Sequence, residues 1–284
     1  MTNNDMMNNE ILTVNKILTT NKISTANKIL TNNNIRDIAM QQSAIDSNCS
    51  MEDFIRTENK IVISEKNPNA RRYLDLPFCC DLTSYGNNIV ASVSEELTEI
   101  VSGYINKYPV EHCFETPNLH ILMERLKAFQ LNICFMAEYF LPDMNSIKPL
   151  SCNYETRLME QGTFEEYYLP EWSNALCEKR RQLDLLAVGA FDKGKLIGLA
   201  GCSADCDTMW QIGVDVLPEY RQQGIASSLT SILAKEVLDR NIVPFYCCAW
   251  SNIKSARNAV KSGFSPAWVQ VTAKSNDFIA DMNK

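Results

Sequence analysis

Val214-Asp215-Val216-Leu217-Pro218-Glu219-Tyr220-Arg221-Gln222-Gln223-Gly224-Ile225-Ala226 is the stretch on which the reading of this chain turns. A β-branched run stops at a proline, a basic and polar turn follows, one glycine tightens it, and a helix starts at once. The first N–H groups of a helix have no partner inside it, and the helix dipole places positive charge at the same end. Such a turn is an anion site, with phosphate as its usual guest. The helix that follows buries Ile225, Leu229, Ile232, Leu233 and Val237 at helical spacing. Gly213, within the strand, marks a bulge or a close approach of another backbone.

Outward from this turn the chain reads as an alternating series. Residues 154–159 suit a strand, and 163–168 and 171–180 suit two helices. Residues 185–191 and 195–201 are strands joined by the turn Asp192-Lys193-Gly194. The strand at 209–216 leads into the helix at 227–240, then a strand at 245–249, a helix at 253–262 and a last strand at 268–273. Ser251 or Asn252 caps the second helix, and Gly263 fits the left-handed position that ends it. Ile253, Ala256 and Val260 make its apolar face.

The turn at 221–226 and the segment from Asn252 to Gly263-Phe264 together resemble the GNAT superfamily of acyl-CoA-dependent N-acyltransferases, whose acyl-CoA signature is Q/R-x-x-G-x-G/A. The resemblance covers roughly residues 154–273. It implies an α/β (α+β) fold with a mixed, mainly antiparallel central sheet flanked by helices. It also implies acetyl-CoA as acyl donor, with no metal. By resemblance the signature strand splays from its neighbour at Gly213, and Val214 and Val216 offer backbone to the pantetheine arm. Arg221, Gln222, Gln223, Gly224, Ile225 and Ala226 would wrap the pyrophosphate, and a Cβ at Gly224 would hold it away. Asn252 would hydrogen-bond the pantetheine.

One departure stands out. The family often carries a tyrosine four residues before the closing glycine to protonate the leaving thiolate; here that position is Ala259. Tyr246, on the preceding strand, is the substitute candidate. For a general base, Asp215 is the nearest carboxylate, and it reads equally as a buried acceptor for loop amides. Asp205 and Asp207 are weaker candidates, and Glu165 and Glu166 read as a solvated face. No nucleophilic triad is visible, so direct attack of an amine on the thioester in a ternary complex is expected. Against this enzyme stands a non-catalytic acyl-CoA-binding or regulatory module, favoured by Ala259. An aminoacyl-tRNA-dependent transferase is a third reading, opposed by the net charge.

That charge is −7 over 284 residues, with 45% apolar and 21% charged side chains. It argues against nucleic acid as a partner. No apolar run is long enough to span a bilayer, and no secretory signal opens the chain. Eleven cysteines, including the adjacent pairs Cys79-Cys80 and Cys247-Cys248, make a poor disulfide framework and read as reduced thiols of a cytoplasmic protein. His112 and His120 match no metal spacing. Hexads of the form Asn-Lys-Ile-Leu-Thr recur from Asn9 to Asn32, so residues 1–47 are expected to be a low-complexity, disordered tail. Residues 48–150 read as a smaller accessory α+β domain, supplying acceptor wall or a homodimer contact, and 151–284 as the transferase domain. The acceptor, a small-molecule or peptide amine, is open.

Overall fold

Residues 30–284 are described by the computed structural model of the chain. They contain ten strands hydrogen-bonded in the order β1-β3-β2-β10-β4-β9-β8-β7-β6-β5. The strands are β1 (Lys60–Ile63), β2 (Cys80–Ser84), β3 (Val90–Val93), β4 (Leu131–Pro142), β5 (Glu155–Glu160), β6 (Asp184–Asp192), β7 (Lys195–Ser203), β8 (Met209–Val216), β9 (Val243–Ala249) and β10 (Phe264–Ser275). Only β1 with β3 and β8 with β9 run parallel. The α-helices are α1 (Asn32–Ser47), α2 (Thr98–Ile105), α3 (Thr116–Leu126), α4 (Ile225–Leu238), α5 (Ile253–Lys261) and α6 (Asn276–Met282). This is the mixed, mostly antiparallel α/β sheet with flanking helices that the sequence implies.

The hexads, but for Leu30, Thr31 and Asn32, lie outside the described residues. The expected tail does not extend to residue 47, because α1 occupies 32–47. Beyond Asn32 the repeat stops and apolar residues fall at helical spacing. Thr31 and Asn34 form a reciprocal capping box, and Ile35, Ala39, Met40 and Ala44 are buried. Asp46 on α1 receives the fully buried Arg71 through its backbone N–H (2.9 Å) and Nε (2.5 Å). The rings of Tyr73, Tyr139, Phe245 and Trp268 surround that guanidinium at 5.6–5.8 Å.

Residues 48–150 and 151–284 share one hydrogen-bonded layer. β4, from the first segment, lies between β9 and β10 of the second, and β10 in turn pairs with β2. One core gathers Leu82, Val93, Leu97, Leu122 and Leu126 with Val271 under α2 and α3. Another gathers Val188, Ile197, Ile212, Leu229 and Leu233 under α4.

Two local expectations are corrected. Residues 163–168 and 171–180 form short 3-10 turns at Glu165–Tyr167, Pro170–Trp172 and Glu178–Leu183 instead of two helices. Pro170 interrupts the run. The loop N–H of Cys177 then donates to the Asp184 carboxylate at 2.7 Å, and those of Asn174 and Ala175 to Asp215. The apolar face expected of α5 is only partly covered: Ala256 packs against the core and Ala259 is buried, whereas Ile253 is 55% and Val260 56% exposed. They border a shallow groove over Glu138 and Pro266. The turn Lys193-Gly194 has positive φ at both residues, as a two-residue hairpin requires.

Because β4 fills the gap between β9 and β10, a fragment of residues 151–284 is expected to aggregate or stay unfolded, whereas residues 31–284 fold. Circular dichroism and size-exclusion chromatography of the two fragments decide this.

A second expectation concerns pH. Burial pushes the Asp81 carboxyl up to about 6, against hydrogen bonds from Thr272, Gln270 and Thr83, and burial likewise pushes Asp184 up to about 6. Protonation is therefore easier in the folded chain than in the unfolded one. Both groups favour the fold most at or below the ordinary carboxylate range, and that contribution is lost as pH rises through 6. Lowering pH from 7.5 to 5.5 should raise the unfolding free energy from urea titration by about 1–2 kcal/mol. The gain should shrink in Asp81→Asn.

Candidate functional site

β8 and β9 pair only from Met209–Val243 to Ile212–Tyr246. Beyond that point β8 remains bonded to β7 as far as Val216, and β9 to β4 as far as Ala249. The edge of residues 213–216 that would face β9 is thus unpaired, and the two strands open a wedge. A cleft of about 1120 Å³ fills it. It is lined by Val214, Val216, the turn after β8, Tyr246, Cys247, Asn252 and the inward side of α5.

The wedge is held open from the far face of the sheet. Gly213 on β8 stands opposite Gly201 on β7. A Cβ on Gly213 would come within 1.7 Å of the Asn174 carbonyl oxygen, and one on Gly201 within 2.1 Å of that of Ala175. Of the two expectations for Gly213, the close backbone approach is what the structure has; β8 pairs with β7 without a register shift. Asp215 fastens the same segment. Its carboxylate accepts from Asn174 N (2.8 Å), Asn174 Nδ2 (2.6 Å) and Ala175 N (3.0 Å).

The turn leading into α4 has the left-handed residues Gln222 (φ 64°) and Gly224 (φ 83°). Gly224 occupies the N-cap position and supplies no side-chain cap. Among the described residues no acceptor engages the backbone N–H groups of Gln222, Gln223, Gly224, Ile225, Ala226 or Ser227. Six consecutive unsatisfied donors beside a helix N-terminus form an anion-binding nest. Arg221 folds back so that Nε donates to the Val216 carbonyl at 3.0 Å. Gln223 accepts from the Tyr154 hydroxyl at 2.8 Å.

Asn252 caps α5, its Oδ1 accepting from Ser255 N at 3.2 Å, and it lines the cleft. Tyr246 is buried, and its hydroxyl lies 2.8 Å from Ser255 Oγ. Burial raises its phenol above the usual range, partly offset by Ser255 and Asn258. The phenol therefore keeps its proton at neutral pH. Ala259 is enclosed in the core beside it. Asp205, Asp207, Glu165 and Glu166 do not line the cleft. Asp205 is wholly buried, and Glu165 pairs with Arg181 at the surface.

Sequence reasoning passed over Lys254, Arg257 and Lys261, which line the cleft and make no ion pair among the described residues. Their spacing of three and four residues puts them on one face of α5, and that was the available signal. Lys261 Nζ lies 3.7 Å from where a Cβ on Gly224 would stand. In a chain of net charge −7, three such lysine and arginine side chains join Arg221 around one cleft. No cluster of metal-ligating side chains occurs among the described residues, and none of their helices is long and apolar enough to cross a membrane.

The family model for the acetyltransferase (GNAT) family matches residues 153–264. The C-terminal half of the chain therefore carries a GNAT-superfamily domain, and the family is one of acyltransferases. Solved structures similar to this chain include a GCN5-related N-acetyltransferase-like protein from Streptococcus suis, at 20% identity and TM-score 0.41, covering 55% of this chain and 67% of that one. Another is a GCN5-related N-acetyltransferase from Kribbella flavida, at 15% and 0.43, covering 56% and 64%. A GNAT-family protein from Novosphingobium aromaticivorans aligns at 17% and 0.39, covering 51% of this chain and 66% of its own. The match thus spans about two thirds of the length of these proteins. No curated protein matches the chain.

Removing the Asp215 carboxylate frees the loop at Asn174. Asp215→Ala is expected to cost about 2–4 kcal/mol in denaturant unfolding. Asp215→Asn, which keeps an acceptor, is expected to cost less than half of that.

Proposed function

We propose that the chain is an N-acyltransferase that moves an acetyl group from acetyl-CoA to a primary amine, by direct attack in a ternary complex. The observation that carries this reading is the run of unsatisfied N–H groups from Gln222 to Ser227, adjoining the unpaired edge of β8. A pyrophosphate fits the first and an extended amide-bearing arm the second. Gln223, Gly224, Ile225 and Ala226 would hold the pyrophosphate, with Arg221 and Lys261 offering countercharge. Val214 and Val216 would pair with the pantetheine amides, and Asn252 would donate through its side-chain NH2. When bound, acetyl-CoA supplies the activated acyl group. This chain's part is to orient it and to polarise the carbonyl through backbone N–H groups.

Asp215, with three hydrogen bonds to the Asn174–Ala175 segment, we read as a positioning residue and not as the general base. The protonated Tyr246 phenol, in contact with Ser255, is the proton donor we assign to the leaving thiolate in place of the tyrosine absent at Ala259. Residues 48–150 supply four strands of the same sheet, β4 at its centre among them, and eleven free thiols support a reducing, cytoplasmic setting. Ala259 alone favours the second reading, an acyl-CoA-binding module without turnover.

Calorimetric titration tests the donor assignment. The wild type is expected to bind acetyl-CoA, and Gly224→Glu to weaken binding at least about 100-fold, since a side chain there meets a positive φ and places a carboxylate in the nest. Equal binding by both, or none by the wild type, sinks the assignment.

A further inference from the structure

The cleft changes character across the splay. On the helix side its lining carries Arg221, Lys254, Arg257 and Lys261. On the other side of the sheet the lining is Phe135 and Ala137 of β4, Cys247 and Ala249 of β9, Gln211 of β8, and Asn174. Alternate residues of a strand share a face. Ala137 stands opposite Ala249, and Gln211 Nε2 donates to Cys247 Sγ at 3.1 Å, so the strand residues form one wall. Apart from Asp215, which alternates onto the same face as Gln211, nothing on that wall carries a charge. The Cys247 thiol is pushed up to about 12 by burial and is neutral near pH 7. Asp215 is the one carboxylate lining the cleft among the described residues, and three donors already occupy it.

An alkylammonium brought against this wall would lose its hydration and meet a single carboxylate, Asp215, whose oxygens already accept three hydrogen bonds. It would find no other group there to take its proton. An amine as basic as lysine, with a pKa of about 10.4, is neutral at pH 7 in fewer than about one molecule in a thousand. A weakly basic amine is neutral already and carries its apolar substituent onto Phe135, Ala137 and Ala249.

Resting on the acyl-CoA reading of this cleft, we infer that the acceptor is an uncharged primary amine of low basicity with an apolar flank, of the aromatic-amine type, and that diamines and polyamines are poor acceptors. The amine nitrogen attacks the thioester carbonyl carbon, and the C–S bond breaks as the C–N bond forms. The sulfur leaves with the electron pair, and the proton released by nitrogen ends on sulfur. The products are an amide and free CoA.

The experiment measures acetyl-CoA binding by calorimetry and then thiol release with aniline, benzylamine and 1,4-diaminobutane between pH 6 and 9. Expected are binding, a kcat/KM for aniline at pH 7 at least about tenfold above that for diaminobutane, and a flat pH profile for aniline. Benzylamine turnover should rise about tenfold per pH unit, following its neutral form. Preference for diaminobutane, pH-independent use of benzylamine, or no turnover of any amine with acetyl-CoA bound overturns the acceptor inference and leaves the donor reading standing. Absence of acetyl-CoA binding removes the donor reading itself. Ala249→Asp adds a carboxylate to the wall and should shift the diaminobutane-to-aniline ratio at least tenfold toward the diamine. An unchanged ratio, with acetyl-CoA binding intact, overturns the placement of the acceptor.

Discussion

Two strands can share hydrogen bonds only while they run side by side, and β8 and β9 stop doing so after Ile212 and Tyr246. The rest of the site follows from that parting. A row of backbone donors and acceptors in the middle of a sheet would ordinarily be too costly to leave open. Here each strand keeps its outer partner, β7 on one side and β4 on the other. The sheet therefore stays intact around the gap, and the exposed edge is rigid.

What prevents the wedge from closing is a backbone seated against β7 and β8. Gly201 and Gly213 face each other and remove the two Cβ atoms that would push away the carbonyls of Ala175 and Asn174. Asp215, two residues along, then fixes the same segment by three hydrogen bonds. A carboxylate in such a cleft invites a catalytic interpretation, but the hydrogen bonds of this one all run to Asn174 and Ala175. The cations on α5 have the opposite character. Among the described residues they form no ion pair, and with Arg221 they make the helix side of the cleft basic.

Much of this was legible in the residues. The nest at 221–226, the capped helix after Asn252 and the strand interrupted at Gly213 are local signals, written in φ preferences and in spacing. The two helices expected at 163–180 gave way to 3-10 turns because Pro170 interrupts the run and the loop at Asn174 and Ala175 is ordered by Asp215, some forty residues further on, which no local window contains. The apolar stripe Ile253–Val260 read as core because periodicity reports a face and not what lies across from it. Residues 32–47 were hidden by the repeat running into them. Arg71, ringed by aromatics from three strands and an adjacent loop and paired with Asp46, had no sequence signature at all.

β4 sits at the centre of the sheet but comes from the half of the chain outside the family-matched segment. A ribosome releases Leu131–Pro142 long before Val243–Ala249 and Phe264–Ser275 exist to pair with it. Until then β4 has two bare edges, and β2 lacks the neighbour it will find in β10. The middle of the sheet is therefore the last part to close, through pairings between strands more than a hundred residues apart, and topology of this kind folds slowly. The cleft, whose walls stand on β8, β9 and β4, therefore comes into being only once Val243–Ala249 has been made and has paired with a strand formed more than a hundred residues earlier.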